Sequence, residues 1–314
     1  MRAALVDRYG PPAEVRIAEV PRPGSAKGRV LVRVEAAAVT SGDARIRAGR
    51  FPRGFGPLAR VALGFRGPRR RILGVAFSGV LLEPAGEMRA GEAVAGMSGA
   101  LMGAHAEVAS APVTALARKP EALGHAEAAG LLFGGSTALH FLRDRARIRP
   151  GDRVLVNGAS GAVGSSAVQL ARHLGARVTA VASGGREELM RALGAEGFVD
   201  YTLTPLEGRR GDFDVVFDAV GNLGPADAPR LLRPGGSLVL AVAGLADTLR
   251  RRAGIHTGAS PERAEDFALL MELAARGELD PLTESLGGLD AIHEAYRRVD
   301  GGHKLGNLVI RPAD

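Results

Sequence analysis

One stretch near the middle of the chain constrains its fold more than any other. It starts with the apolar, β-branched run Arg153–Asn157 and continues as Gly158-Ala-Ser-Gly161-Ala-Val-Gly164. Beyond Gly164, apolar side chains recur at helical spacing as far as Leu174. A strand, a glycine-rich turn and a helix in this order predict a βαβ unit that binds a dinucleotide.

The residues of this turn have separate predicted roles. Gly161 lets the backbone approach a pyrophosphate, and Gly164 lets the helix pack closely on the strand. Gly158 and Ser160 lie in the same turn, where free N–H groups of the first helical turn would face the phosphates. Ala159 stands where the first glycine is usual, so the match is A-x-G-x-x-G. A glycine-rich turn with no ligand is the alternative, and the flanking strand and helix argue against it.

Length and composition predict a two-domain globular protein. The chain has 314 residues, 46% of them hydrophobic and 24% charged. No run of 18 apolar residues and no leader after Met1 is present, so neither a membrane span nor a secretory signal is predicted. The chain has no cysteine, which excludes disulfides and thiolate metal sites and fits a cytoplasmic location.

The pattern of elements changes near residue 122. Before it, short strands between turns with Pro and Gly predict a mostly β, partly open barrel. These strands are Ala3–Val6, Val30–Val34, Ile72–Leu82 and Glu92–Ala95. After it, alternating strands and helices predict an α/β fold with a doubly wound parallel sheet. Its strands are Arg153–Asn157, Arg177–Ala182, Gly197–Tyr201, Asp214–Ala219 and Ser237–Val242, with a weak sixth strand near Arg251–Ile255.

The predicted helices complete this α/β pattern. They are Ala126–Leu131 and Ser136–Leu142, with Gly134 and Gly135 at the join, then Glu187–Leu193 and Glu262–Arg276. A last strand, Leu308–Ile310, is expected to return to the first domain. We therefore predict one domain from residues 1–121 and 256–314, and a second from residues 122–255.

The end of the second predicted strand bears on the choice of cofactor. An acid about 20 residues past the turn would bind the 2′-hydroxyl of NAD. This chain has Ser183-Gly-Gly-Arg186 there, which suits the 2′-phosphate of NADP because arginine forms bidentate, charge-assisted phosphate contacts. In the alternative, Glu187 supplies the acid and Arg186 only begins a solvated helix.

The charge of the chain is unevenly spread. The formal net charge is +7, and nine arginines with no acid lie between Arg45 and Arg71, together with Phe51, Phe55 and Phe65. This basic segment either holds a phosphate-bearing cofactor or an acidic substrate, or forms a mobile surface loop. A nucleic-acid partner is not expected, because a solvated, arginine-rich surface accounts for the net charge.

Metal and serine-hydrolase chemistry are not predicted. The seven histidines are not paired at i, i+4 spacing and have no cysteines near them that could share a metal ion. No Gly-x-Ser-x-Gly motif is present. Near the C-terminus, His303-Lys304 precedes Gly306-Asn307. That segment either reaches a cofactor phosphate or forms an ordinary surface turn.

Six motifs together resemble a zinc-independent medium-chain dehydrogenase/reductase of the quinone oxidoreductase, zeta-crystallin-like type. They are Val39–Arg47, Phe133–His140, Val154–Gly164, Leu193-Gly-Ala with Val199-Asp-Tyr201, Asp214–Gly221 and Gly302–Asn307. The resemblance covers nearly the whole chain. It implies a GroES-like barrel domain that is catalytic and is rejoined by the C-terminus. It also implies a central Rossmann domain for NADP(H), with the active site in the cleft between the two.

The resemblance also implies roles for single residues, which we group by the part of the cofactor that they contact. The pyrophosphate group is Ala162 and Val163; the 2′-phosphate group is Ser183, Arg186 and Tyr201; the nicotinamide group is Thr137, Val220, Ala241, Val242 and Ala243; and the closing group is Lys304, Gly306 and Asn307. Thr40 and Asp43, with Ser41 between them, are the polar candidates for catalysis. The implied reaction is hydride transfer from NADPH to a quinone or an α,β-unsaturated carbonyl.

Three departures from the family pattern leave other functions open. Ala76 stands where an acid is usual, the hairpin at Leu81–Gly91 is short, and the weak sixth strand is the dimer edge of relatives. A homodimer is therefore an expectation only. The alternatives are a zinc-free alcohol or aldehyde oxidoreductase and a non-catalytic NADPH-dependent binding or sensor protein. No membrane partner is expected.

Overall fold

The first part of the chain is mostly β-structure, as predicted. In the computed structural model, which describes residues 1–24, 26–206, 210–250 and 252–314, two helices interrupt its strands. The strands are β1 (Arg2–Val6), β2 (Val15–Glu19), β3 (Arg29–Ala38), β4 (Ala76–Leu81), β5 (Ala93–Met97), β6 (Val108–Pro112) and β7 (Leu116–Arg118). The helices are α1 (Ser41–Ala48) and α2 (Gly56–Leu63).

The second part alternates helices with strands, also as predicted. Its helices are α3 (His125–Leu139), α4 (Ala162–His173), α5 (Glu187–Ala192), α6 (Ala228–Leu231), α7 (Leu245–Leu249), α8 (Ala264–Ala275) and α9 (Ile292–Asp300). Its strands are β8 (Arg153–Asn157), β9 (Arg177–Ala182), β10 (Gly197–Asp200), β11 (Phe213–Asp218), β12 (Leu232–Leu240), β13 (Ile255–His256), β14 (Thr283–Gly288) and β15 (Asn307–Arg311).

The strand order confirms the predicted doubly wound sheet. Six parallel strands follow the order β10-β9-β8-β11-β12-β13. The order reverses at β8, because β9 lies on one side of this strand and β11 on the other. Ligands of such sheets bind at the carboxyl ends of the strands where the order reverses. The glycine-rich turn follows β8 and therefore lies at that point.

The last strand returns to the first domain. The second sheet has the order β14-β15-β3-β4-β5-β7, with β6 paired to β3. Val309 of β15 pairs with Ala38 of β3, which confirms the predicted return of the C-terminus. As a result, the residues just before β15 lie beside the residues just after β3.

The weak sixth strand agrees with expectation, whereas the helix break does not. The sixth parallel strand is only Ile255–His256, as weak as expected, and Arg251 lies outside the described residues. The predicted helix break at Gly134 and Gly135 is wrong, because α3 runs through both. A Cβ on Gly134 would lie 2.4 Å from the carbonyl oxygen of Ala162, so this glycine lets α3 and α4 pack closely.

The basic segment is not simply a loop. It contains α2, with a proline in its first turn, and Leu58 and Val61 of this helix are exposed. Of the helices that the structure describes, none is long and apolar enough to cross a bilayer.

The predicted domain boundaries stay a prediction, because α8 packs on both parts of the protein. Leu270 and Leu273 belong to the apolar core of the parallel sheet. Phe267 and Met271 of the same helix pack with side chains of β4 and β5.

Candidate functional site

A cleft of about 1260 Å³ lies between the carboxyl edge of the parallel sheet and the first domain. On one side it is lined by the glycine-rich turn and by the loops that follow β11 and β12. On the other it is lined by the start of α1, by residues 50–53 and by the chain between α9 and β15. The predicted site residues on this lining are Thr40, Gly158, Ser160, Gly161, Ala162, Val163, Tyr201, Val220, Val242, Ala243, Lys304 and Asn307.

The glycine-rich turn has the shape that a pyrophosphate requires. Gly161 precedes α4, and no side chain caps the N–H groups of its first turn. A Cβ on Gly161 would meet nothing closer than the Gly158 carbonyl oxygen, at 3.6 Å, whereas one on Gly164 would lie 2.0 Å from that oxygen. Gly164 therefore sets the packing of helix on turn, and Gly161 leaves open space in front of uncapped N–H groups. These residues fit a dinucleotide.

The chain before β15 closes against this turn. The Gly306 amide donates to the Ser160 carbonyl over 2.9 Å. Lys304 Nζ donates to the Gly306 carbonyl, and burial lowers the pKa of this amine to about 8. Asn307 instead donates its side-chain amide to the Pro281 carbonyl, at 2.7 Å. Lys304 is thus the cation beside the turn, and Asn307 holds the segment in place.

The end of β9 forms a short 3-10 turn over Gly184–Arg186. Ser183 and Arg186 are half-buried and are not part of the cleft lining, whereas Tyr201 is. Glu187, the alternative acid, forms an ion pair with Arg191 at 2.7 Å.

Asp200 is an acid near this turn that the sequence analysis did not consider. Its Oδ1 accepts hydrogen bonds from the amide and hydroxyl of Thr202, at 2.9 and 2.7 Å. The Thr202 contacts, and a further hydrogen bond from the Gly184 amide, lower the pKa of Asp200. The motif Val199-Asp-Tyr201 contained this acid, but spacing alone does not show that it faces Gly184.

A buried carboxylate shapes the loop after β11, and sequence reasoning missed it. Asp218 is fully buried and accepts hydrogen bonds from the amides of Val220, Gly221 and Leu223, at 2.9 to 3.2 Å. The side-chain amide of Asn157 also donates to it, at 2.9 Å. The Gly221 amide contacts both carboxylate oxygens, and together these bonds fix the loop and leave the Val220 side chain exposed on the cleft lining.

Five of the predicted cofactor residues are not on the cleft lining: Thr137, Ser183, Arg186, Ala241 and Gly306. The Thr137 hydroxyl donates to the Phe133 carbonyl, at 2.8 Å, and Phe133 is the residue of α3 that reaches the cleft. Ala241 packs against the core of the parallel sheet.

Thr40 and Asp43 form the N-terminal cap of α1. The Thr40 hydroxyl donates to Asp43 Oδ2, at 2.6 Å, and the Thr40 amide donates to the same oxygen, at 2.9 Å. Asp43 Oδ1 accepts from the Gly74 amide, at 3.1 Å. Asp43 is buried and lies off the cleft lining, so it positions Thr40, while Thr40 and Ser41 face the cleft.

Three arginines of the basic segment line the cleft: Arg45, Arg50 and Arg53. The segment also contacts the start of α7, because the Leu245 amide donates to the Arg53 carbonyl, at 2.8 Å. Arg47, on the opposite face of α1, is buried; it donates to the Gly10 carbonyl and pairs with Asp300. The alternatives for this segment were the binding of a cofactor or an acidic substrate and a mobile surface loop. Its position on the cleft fits the first.

Zinc ligands are not brought together. Within the described residues, no three side chains of His, Cys, Asp or Glu cluster in a way that could hold a metal ion. Ala76 is buried in β4 among apolar side chains. The independence from zinc nevertheless stays a prediction about activity.

Comparison with known proteins gives consistent matches. Residues 162–250 match a family model described as zinc-binding dehydrogenase. The chain is 29% identical to a 2-methylene-furan-3-one reductase of Solanum lycopersicum, over 92% of this chain and 73% of that protein. It is 28% identical to an NADPH-dependent alkenal/one oxidoreductase of Arabidopsis thaliana, over 99% of this chain and 80% of that one.

Two further matches differ in how much of the matched protein this chain spans. It is 34% identical to the polyketide synthase protein NorB of Streptomyces orinoci over 77% of its own length, but spans only 12% of that protein. The quinone oxidoreductase structure from Coxiella burnetii superimposes with a TM-score of 0.86 at 27% identity, covering 99% of both chains. The motifs, the strand order and these matches agree: the chain belongs to the medium-chain dehydrogenase/reductase family and is of its quinone oxidoreductase type.

Proposed function

We propose that this protein is an NADPH-dependent oxidoreductase that transfers a hydride to a quinone or an α,β-unsaturated carbonyl without zinc. The observation that carries the proposal is the uncapped N-terminus of α4, which faces the cleft where the strand order reverses. The names of the relatives support it, since they include an alkenal/one oxidoreductase and a quinone oxidoreductase.

The residues of the cleft divide the work of binding. Bound NADPH supplies the hydride. We assign its pyrophosphate to the turn from Gly158 to Val163 with Lys304, and its nicotinamide to the loops that carry Val220, Val242 and Ala243. The hydrogen bond from the Leu245 amide to the Arg53 carbonyl joins the basic segment to α7 beside the cleft.

The proton that completes enone reduction comes from solvent in this proposal. The Thr40 hydroxyl already donates its proton to Asp43, and Asp43 does not reach the cleft. Neither residue is therefore free to protonate the substrate. Hydrogen-bond donors rather than a metal polarise the acceptor, which favours acceptors that are easily reduced.

The proposed preference for NADPH rests on Ser183 and Arg186. Replacing Arg186 with glutamate should weaken NADPH binding by about 1.5–3 kcal/mol, the value of a charged hydrogen bond, and leave NADH binding nearly unchanged. Fluorescence titration of both cofactors measures this. Arg177→Glu, at the other end of β9, is the control for net charge. Equal dissociation constants for NADPH and NADH in the unmodified protein would contradict the assignment.

One experiment tests the reaction itself. A panel of quinones, 2-alkenals and primary alcohols is assayed with each nicotinamide cofactor in excess chelator, by nicotinamide absorbance. We expect steady NADPH oxidation with quinones or alkenals and no loss of rate on chelation. Loss of rate that zinc restores, or efficient oxidation of simple alcohols, would refute the zinc-free reductase. Cofactor binding without turnover of any acceptor would favour a sensor. A cytoplasmic location and a homodimer stay predictions.

A further inference from the structure

Arg45 is a half-buried arginine of the basic segment, and no carboxylate neutralises it. Arg47 and Arg50 both pair with Asp300, and the Nη2 atom of Arg50 lies 2.7 Å from Oδ1 of Asp300. Within the part of the chain that the structure describes, the Arg45 side chain has neither an ion pair nor a hydrogen bond. A half-buried cation without a partner is costly, so its position calls for an explanation.

Arg45 lies on the side of the cleft across from the loops to which we assign the nicotinamide. It follows Ser41 by four residues on α1, so both side chains lie on one face of the helix. The same lining includes the apolar residues Ala44 and Phe51. Burial, with the nearby charge of Arg50, lowers the pKa of the Arg45 guanidinium, which stays protonated at neutral pH.

The proposed position of the cofactor's pyrophosphate is across the cleft from Arg45. We assign this group to the glycine-rich turn at the edge of the parallel sheet, and of the residues assigned to it only Lys304, in the segment before β15, lies on the same side of the cleft as α1. Of the described residues on the lining, only Asp247 and Asp300 are carboxylates. Asp300 is shared by two other arginines, and Asp247 forms no ion pair with Arg45. A negative charge for Arg45 has to enter with a ligand.

We propose that the acceptor carries a carboxylate or phosphate group and that Arg45 binds this oxyanion. The proposal rests on the proposed function and adds the substrate class to it. Arginine suits the task because its planar guanidinium forms two parallel, charge-assisted hydrogen bonds with either group. The reacting alkene or quinone then lies nearer the start of α1, where Thr40 and Ser41 face the cleft.

Binding to the NADP⁺-saturated protein tests the proposal without requiring turnover. The probes are three saturated ketones that share an alkyl chain and end in a carboxylate, a phosphate monoester or a methyl ester. Calorimetry should show that both anions bind at least tenfold more tightly than the ester. Arg45→Gln should raise the dissociation constants of both anionic probes by about 10- to 100-fold and that of the ester by less than about twofold. Arg45→Lys should restore part of the preference for the anions over the ester. The anion whose affinity falls more in Arg45→Gln, carboxylate or phosphate, identifies the group that the natural acceptor carries.

Arg66→Gln is the matched control, since it removes the same charge from an exposed position of the basic segment that is off the cleft lining. Equal binding of anion and ester, or an equal loss in Arg66→Gln, would overturn the proposal. The corresponding enones separate the two hypotheses. If they are reduced with no preference for the anion, the inference fails and the proposed function stands. If the anions bind through Arg45 but no enone or quinone is reduced, the proposed function fails and the anion site stands.

Discussion

Gly161→Val is expected to abolish NADPH binding while the protein stays folded. Gly161 has φ −80° and ψ 173°, an extended conformation that valine adopts without strain. The new side chain points into open space in front of the α4 N-terminus, which is the volume that a pyrophosphate needs. We expect the NADPH dissociation constant to rise about a hundredfold or more, with the unfolding midpoint nearly unchanged. Fluorescence titration and thermal unfolding measure the two quantities.

Gly164→Ala is the matched variant, three residues along the same turn. Its Cβ would lie 2.0 Å from the carbonyl oxygen of Gly158 and 2.8 Å from the Cα of Ala159. Backbone atoms cannot move aside as a flexible side chain can, so this smaller change should lower the unfolding midpoint. Normal NADPH binding by Gly161→Val would show that the turn does not hold the pyrophosphate. Equal unfolding midpoints in the two variants would show that Gly164 does not set the packing of α4.

The fold of the second domain was predictable because its sequence signal is local. A buried parallel strand, a turn with glycine and an amphipathic helix follow one another within 22 residues, from Arg153 to Leu174. Once such a unit is identified, its handedness and its place in a doubly wound sheet follow from general rules. The return of β15 to the first domain was predicted from the apolar run Leu308–Ile310 together with the resemblance.

The elements that sequence reasoning missed have weaker or different signals. The strand β14 is short and polar, and its parallel pairing with β15 joins residues 24 positions apart. Helix α9 was missed although Ile292, Ala295 and Val299 recur on one face. The two glycines of α3 were interpreted as a break, because the close contacts of Gly134 with α4 and of Gly135 with Leu270 of α8 are visible only in three dimensions.

Side-chain roles in the cleft were predictable only as a set. The motif Val39–Arg47 correctly predicted one wall of the cleft, but it did not show which of its residues face the cleft and which are buried. Asp43 contacts Gly74, 31 residues away, and this long-range contact directs its carboxylate away from the cleft. Arg45 and Arg47 are two residues apart and point to different sides of α1, one to the cleft and one to the core. Sequence spacing alone treats these two arginines as equals.

Arg47→Ala is expected to lower the free energy of unfolding by about 3–5 kcal/mol, the cost of removing one member of a buried ion pair. Its side chain is 0% exposed, pairs with Asp300 and donates to the Gly10 carbonyl. It also lies over the Tyr296 ring, with its Cζ atom 5.1 Å from the ring centroid. Alanine would leave a cavity, an unsatisfied carbonyl and a lost cation–π contact together. Urea unfolding followed by circular dichroism measures the change.

Arg50→Ala and Arg47→Met separate the causes of this loss. Arg50 pairs with the same Asp300 but its side chain is 64% exposed, so its removal should cost about 0–1 kcal/mol. Arg47→Met keeps most of the volume without the charge, so the part of the loss that it restores measures packing rather than pairing. If Arg47→Ala and Arg50→Ala unfold at the same urea concentration, the buried arginine does not stabilise the fold. If the expected difference is found, Arg47 anchors the helix that presents Thr40 and Arg45 to the cleft.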